Sequence, residues 1–314
     1  MSHIRFAIGV PQLFDDGAFD PAAFRAYLAR VEALGFESAW TQEQTLGTMP
    51  HFGPLESMAF AAACTERLRI GCVVFVTPLH SPVHLAKSLS SLDQLSRGRI
   101  EIGVGTGGRG RMFSAFGVDP TTYVPRFTES LRLMKALWTE PTVNFQGRFW
   151  QLENASMEPK PFQKPHPPIW FGANQPGALR RAVRHGDGFF GAGSTTTARF
   201  AEQVPIVRQA LEDAGRDPDT FRIAKRVYIS IDDNVERARQ RTSDGLERLY
   251  AGTGLRNIID VAVYGPPSAC VEGVRKVVEA GAQLVLFTPF FDKGDQLERL
   301  ARDVIPQFEK AGVR

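Results

Sequence analysis

The run Leu68–Val76, LRIGCVVFV, is apolar at nearly every position. A strand with one face in water alternates apolar and polar residues, so an unbroken run has to be covered on both faces. Cover on both faces is the mark of a parallel sheet, whose neighbouring strands need a crossover, usually a helix. The flanking sequence supplies those crossovers. A strand over Ile4–Gly9 is followed by Asp20-Pro21, an N-cap residue with proline at the first helical position. Phe24, Tyr27, Leu28, Val31 and Leu34 then fall at helical spacing, and Gly35 ends the helix. A second strand over Ser38–Gln42 leads through a Gly-, Pro- and His-rich loop to a helix over Pro54–Cys64. After the apolar strand, Ser81-Pro82 opens a helix with Leu85, Leu89 and Leu92 on one face, and RGRIEIGVGTGG (Arg97–Gly108) holds the fourth strand. Four strand–helix units in the first hundred residues predict a parallel sheet with right-handed crossovers, open or closed into a barrel.

The second half keeps this rhythm after an interruption. Pro125–Thr139 reads as a helix carrying Phe127, Leu131, Met134 and Trp138. Residues 141–168 lack helical period, are dense in proline and aromatics, and contain NFQGRFW, which reads as a hairpin. They are too apolar to be a disordered linker and are expected to be an insertion. Strands follow at Ile169–Gly172, Gly188–Gly191, Ile223–Ile231 and Leu284–Thr288. Helices are expected over Gly177–His185, Thr197–Ala214 and Asp295–Phe308, with two or three more across Asn234–Ala280. Eight strands, each followed by a helix, predict a (β/α)8 TIM barrel with insertions at its carboxyl-terminal face, as a single domain over 1–314.

Composition excludes several functions. A formal net charge of +3 over 314 residues leaves no electrostatic footprint for nucleic acid. No segment approaches the roughly 18 uncharged apolar residues of a membrane helix, and the amino terminus is too short in apolar residues for a signal peptide. Cys64, Cys72 and Cys270 are scattered without C-x-x-C spacing, which fits buried thiols in a reducing compartment and a cytoplasmic protein.

In such a barrel the working residues lie at the carboxyl ends of the strands. Those positions are Gln12 after the first strand, Thr41–Gln44 after the second, and Val74–Pro78 with His80 after the third. The fourth gives Gly105, Thr106, Gly107, Gly108 and Arg109; the fifth Gly172, Ala173 and Asn174; the sixth Gly191–Thr195; the eighth Thr288. Glu43 is the only carboxylate among them and His80 the only imidazole. No carboxylate pair suits glycoside hydrolysis and no Ser-His-Asp set can be drawn. His80 and His84 flank Pro82 without a joining carboxylate, a poor metal pair.

A site short of ionisable groups but rich in glycine, hydroxyls and aromatics suits a cofactor that carries the reaction. Gly172-Ala173-Asn174 and Gly193-Ser194-Thr195 each precede a helix and are candidate phosphate cradles, although an ordinary βα turn with a polar N-cap reads the same way. Gly103, Gly105 and Gly108 satisfy G-x-G-x-x-G, but that fingerprint belongs where a helix starts on the glycines. Here the next helix begins near Pro125, so the fingerprint is out of context and is weak evidence for a pyrophosphate cradle.

Three segments carry a resemblance: LDQLSRGRIEIGVGTGG (Leu92–Gly108), FGVDPTTYVPRFTESLRLMKALWTE (Phe116–Glu140) and KPHPPIWFGANQPGALRRAVRHGDGFF (Lys164–Phe190). With the pattern of the second and third strands, nearly the whole chain resembles the bacterial luciferase-like flavin-dependent oxidoreductases. The resemblance implies a TIM barrel whose mouth holds the isoalloxazine ring of FMN or of the deazaflavin coenzyme F420. It implies hydride transfer to, or monooxygenation of, a small organic substrate. Gly105, Thr106 and Gly107 would lie beside the ring, and Gly172, Ala173, Asn174, Gly193 and Ser194 would hold the phosphate. A non-prolyl cis peptide at the end of the third strand would fall at Val74-Phe75. Glu43, Gln44 and His80 would be the catalytic groups, with Gln12 helping to orient ring or substrate.

The match has departures. Deazaflavin-using members tend to carry an acid followed by histidine after the second strand, where this chain has Glu43-Gln44, and glutamine cannot hold a proton. Arg109, Arg111, Arg180, Arg181 and Arg184 are candidates to meet a polyanionic tail. Relatives are commonly dimers, and a separate flavin reductase is a further expected partner. The alternatives are a flavin-binding protein without catalysis and a TIM-barrel metallohydrolase. The loop 46–52 and the insertion are expected to shape the substrate pocket, with no readable code.

Overall fold

The computed structural model describes residues 4–14, 19–47, 49–107, 113–251, 255 and 258–309. Its strands are β1 (Arg5–Gly9), β2 (Ser38–Thr41), β3 (Arg69–Val76), β4 (Ile100–Gly105), β5 (Val143–Gln146), β6 (Gln151–Ala155), β7 (Ile169–Gly172), β8 (Gly188–Gly191), β9 (Arg222–Ile231), β10 (Ala262–Gly265) and β11 (Leu284–Pro289). The helices are α1 (Pro21–Ala33), α2 (Pro54–Cys64), α3 (Pro82–Leu95), α4 (Tyr123–Thr139), α5 (Pro176–His185), α6 (Thr197–Asp213), α7 (Val235–Leu249), α8 (Pro267–Glu279), α9 (Lys293–Arg299) and α10 (Pro306–Glu309).

Hydrogen bonding orders the main sheet β10-β9-β11-β1-β2-β3-β4-β7-β8, and β8 pairs again with β9. Eight strands therefore close on themselves as a (β/α)8 barrel, with β10 added outside the ring along β9. Pairing is parallel at β1–β2, β1–β11, β9–β11, β3–β4, β4–β7 and β8–β9. Register follows the apolar positions, as in Ala7 opposite both Leu286 and Ser38. The crossovers start where capping chemistry places them. Asp20 Oδ1 accepts the Ala22 N–H at 2.8 Å, and Thr196 Oγ1 accepts that of Arg199 at 3.2 Å.

Two compact units share the chain. One takes in β1, most of β2 and β8 to β11; the other takes in β3, β4 and the hairpin β5–β6. In the first, Phe6 stacks on Phe287 at 5.6 Å and Trp40 meets the edge of Phe190 at 5.0 Å. In the second, the buried Glu101 carboxylate receives Arg69 Nε and Trp170 Nε1, each at 2.5 Å, so a charge within β4 is fully answered. Buried Asp93 of α3 accepts both the N–H and the side-chain amide of Gln163 at 2.8 Å, which ties the insertion to the barrel helices.

Some details differ from the sequence reading. The four-residue β10 lies within the stretch expected to be helical; it is an edge strand too short to show a period of two. The last helix is broken: Leu300–Val304 widens to a π turn, with the Ile305 N–H on the Leu300 carbonyl, ahead of Pro306, which has no N–H to give. In the hairpin, RFW forms the turn rather than a strand, because the Glu129 carboxylate accepts the N–H groups of Arg148, Phe149 and Trp150 at 2.8–3.0 Å. Cys72 and Cys270 are buried, whereas Cys64 is half-exposed. Among the described residues, no helix is long and apolar enough to cross a membrane.

Candidate active site

Beside β4, strand β3 carries one residue too many. Cys72 pairs with Ile102, yet Phe75 pairs with Val104, so Val73 and Val74 together face the single residue Gly103. The non-prolyl cis peptide lies inside this bulge, at Val73-Val74, one residue before the position expected. A Cβ on Gly103 would stand 2.1 Å from the Cys72 carbonyl oxygen. Gly103 thus makes room for the neighbouring backbone, and the space it supplies belongs to the bulge rather than to a ring.

Beyond the bulge the chain turns its groups in different directions. Phe75 is wholly buried, and its ring stands edge-on to the His80 imidazole at 6.1 Å. Val74 and Val76 remain half-exposed, so of the expected pair Val74 and Phe75 only Val74 offers an accessible side chain. The Val76 N–H donates to Glu43 Oε2 at 2.5 Å, and the other carboxylate oxygen meets His80 Nε2 at 2.6 Å. The Glu43 side chain is 5 % exposed and that of His80 25 %. The His80 loop is held from behind: its own N–H reaches the Thr77 carbonyl at 3.1 Å, and Arg126 Nε donates to the Pro78 carbonyl at 3.1 Å.

With Nε2 committed to Glu43, the working atom of His80 is Nδ1, an acceptor in the neutral ring and a donor in the charged one. The carboxylate fixes which ring nitrogen faces outward and holds the orientation of the ring.

The other expected residues fall outside the pair. Gln12 is 2 % exposed, with Nε2 on the carbonyls of Gln42 (3.2 Å) and Phe52 (3.0 Å) and Oε1 on the Gln42 N–H (2.7 Å). Its amide clamps the loops after β1 and β2 and is saturated by main chain. Gln44 folds over Gly47, where an added Cβ would lie 2.3 Å from Gln44 Nε2. Gly105 ends β4 opposite Val76, and Gly107 has φ +69°, a left-handed turn that glycine adopts freely. Thr106 Oγ1 donates to the Gly107 carbonyl at 3.2 Å. Gly108, Arg109 and Arg111 lie outside the described residues.

The first unit, with β8 to β11, holds the turns after β7 and β8. The Asn174 carbonyl accepts Gln203 Nε2 at 3.2 Å. A Cβ on Gly193 would lie 2.7 Å from the Tyr228 ring, so this glycine is required by packing on Tyr228. That ring stacks on Phe290 at 5.1 Å, and its hydroxyl shares a 2.6 Å hydrogen bond with Tyr250.

Beneath the same turn lies Lys225, 2 % exposed, which the sequence reading passed over. Its Nζ donates to the carbonyls of Ala192 (2.6 Å), Thr195 (3.0 Å) and Arg226 (2.9 Å). Burial, aided by the charge of Arg226, pulls its pKa down to about 7. Arg226 itself donates to Thr288 Oγ1 at 3.1 Å and lies over the Tyr228 ring at 4.9 Å. Two adjacent cations inside the apolar strand IAKRVYISI were the available signal.

Comparison with known proteins gives the family. Residues 3–259 match the model of the luciferase-like monooxygenases. The chain belongs to that family. Among curated relatives, the F420-dependent glucose-6-phosphate dehydrogenase of Amycolatopsis mediterranei is 25% identical, over 94% of this chain and 96% of its own. Among solved structures, monooxygenase RslO1 from Streptomyces bottropensis superposes with a TM-score of 0.84 at 22% identity, covering 97% of this chain and 100% of that one. The oxygenating constituent of 3,6-diketocamphane monooxygenase from Pseudomonas putida, in complex with FMN, gives 0.74 at 18% identity, covering 98% and 99%. The luciferase-like chain described here is an oxidoreductase of that family. It has an imidazole–carboxylate pair at the ends of β2 and β3, while the position after Glu43 is a glutamine with no part in the pair.

Proposed function

We propose that this luciferase-like oxidoreductase works with FMN or F420 on a small organic substrate, with His80 as its acid–base group and Glu43 as the residue that orients and charges it. The Glu43–His80 contact of 2.6 Å, closed behind by the Val76 N–H, carries this reading. The cofactor supplies the redox chemistry: hydride transfer, or oxygen activation when the cofactor is FMN. His80 Nδ1 would give a proton to, or take one from, the substrate atom whose charge changes as that chemistry proceeds. Half-exposed Val74 and Val76 offer an apolar surface of the kind a flat ring needs, and Gly105, Thr106 and Gly107 are proposed beside it. Gln44 would orient substrate without moving a proton, since its amide has no titratable group.

The residues also fit the anionic end of either cofactor. The amine of buried Lys225, without a carboxylate partner among the described residues, lies under the turn after β8, and Gly193 and Ser194 are proposed there as the phosphate turn. The turn formed by Gly172, Ala173 and Asn174 is proposed as a second part of it, by its place before α5. The single-domain organisation, a homodimer, a cytoplasmic location and, for FMN, a separate flavin reductase belong to the same proposal.

Titrating the purified protein with FMN and with F420, followed by absorbance, tests the cofactor. Saturable binding of one supports the reading, and binding of neither overturns it. Oxygen consumption by the reduced complex then separates the two chemistries, because reduced flavin consumes oxygen and reduced deazaflavin does not. A protein that binds cofactor but turns over no substrate with any reductant would be a flavin-binding protein without catalysis.

A further inference from the structure

Among the described residues, Lys225 is the one buried Lys or Arg side chain, and no role in redox chemistry explains its place. Burying an ammonium costs several kcal/mol unless hydrogen bonds and opposite charge answer it. Its three donors are answered by three carbonyls, but among the described residues no carboxylate pairs with it. When protonated, Lys225 therefore sets a positive charge, answered only by carbonyls, directly behind the turn 192–195.

The peptide geometry gives that charge a direction. The bonds Ala192-Gly193 and Thr195-Thr196 are not among the cis peptides of the chain, so each N–H points opposite to its carbonyl. With the Ala192 and Thr195 carbonyls drawn onto Lys225 Nζ, the N–H groups of Gly193 and Thr196 face away from it. Among the described residues neither N–H has a hydrogen-bond partner. Both stand at the amino end of the 17-residue helix α6, where the helix adds partial positive charge. Thr195 closes the turn through its own N–H and hydroxyl, both on the Ala192 carbonyl, at 3.2 and 2.7 Å.

We propose that Lys225 is a positioning residue for cofactor selection: it gathers the carbonyls of the turn and so presents the N–H groups of Gly193 and Thr196 to the phosphate of the cofactor. The lysine never touches the phosphate; it acts through the two peptide groups and through its charge behind them. This rests on the reading of the turn after β8 as the phosphate turn. The ligand class it selects is the phosphorylated flavin or deazaflavin over the same chromophore without phosphate.

The test is binding, not turnover. Affinities for FMN and riboflavin, and for F420 and its chromophore stripped of the phosphate-bearing tail, are measured by fluorescence titration in wild type, K225M, K225Q and K225R. Wild type should bind the phosphorylated member of one pair at least about 10-fold more tightly. K225M should lose most of that preference while its affinity for the bare chromophore stays within about 2-fold, and K225R should restore it in part. K225Q keeps donors without charge, and an intermediate preference there supports both parts of the role. Should K225M fail to give a wild-type circular dichroism spectrum, K225Q carries the same comparison. Wild type without any preference would overturn the phosphate turn itself. A clear wild-type preference that K225M and K225Q both retain would overturn the role of Lys225 and leave the turn standing.

Discussion

At the ends of β2 and β3 a carboxylate and an imidazole answer each other; under the turn after β8 an ammonium is answered only by carbonyls. The first arrangement is closed by its own hydrogen bonds. It needs nothing from outside to be stable, and it is suited to passing a proton without large rearrangement of charge. The second is open, and burial of its cation becomes cheap only when an anion arrives. Proton chemistry and anion binding thus differ in which charge the protein supplies itself. Their glycines differ in the same way: Gly103 yields space to main chain, Gly193 to an aromatic ring.

That contrast can be strained by substitution. The largest effect is expected at Gly103→Ala, whose Cβ would lie 2.1 Å from the Cys72 carbonyl oxygen, a backbone atom in a paired strand. Overpacking of this kind should cost ~3 kcal/mol in urea unfolding. Gly193→Ala meets two ring carbons and the hydroxyl oxygen of Tyr228 at 2.7–2.8 Å, and stacking on Phe290 and the bond to Tyr250 hold that ring in place. A loss of about 2 kcal/mol is expected, since a side chain gives more readily than main chain. Equal costs at the two glycines would erase the distinction between them.

Lys225 gives a signed pH dependence. Its pKa falls from the usual 10.5 to about 7 on folding, so between these values the unfolded chain binds the proton that the folded chain has released. Stability should rise with pH across that window, by about 1 kcal/mol from pH 7 to 8 relative to K225M, and the dependence should fade below pH 7. Parallel urea curves for wild type and K225M at pH 6.5, 7.5 and 8.5 measure this. Parallel behaviour of the two proteins would mean the carbonyls alone keep Lys225 charged. The smallest effect is expected at Glu298→Ala, where the Arg30–Glu298 pair is bidentate but lies in solvent, with side chains 50 % and 43 % exposed. Its removal should leave the melting temperature unchanged within error.

The barrel was legible because its evidence is repeated. The apolar run of β3, the proline starts at Pro21, Pro54 and Pro82, and the glycine ends each point the same way, and α2 falls on Pro54–Cys64 as read. The pair at the site was legible only as two residues, since Glu43 and His80 are 37 apart and sequence does not say which loop partners which. Gln12 looked like a ligand for lack of any sign that the Gln42 and Phe52 main chain would saturate it. The cis bond was displaced by one residue because the bulge lies in the register between two strands. Lys225 was missed for a different reason. Reading a strand by its apolar average hides the one residue whose charge the fold turns inward.

Glu43 and His80 are proposed to act as one acid–base unit. The direct measurement is turnover by wild type, His80→Gln and Glu43→Gln, each saturated with the cofactor it binds and reduced in the same way. Both variants should bind cofactor with near wild-type affinity and lose on the order of 10²-fold in kcat, with the double variant no worse than either single one. Wild-type kcat in His80→Gln would contradict the assignment, and additive losses in the double variant would show that the two residues do not act together.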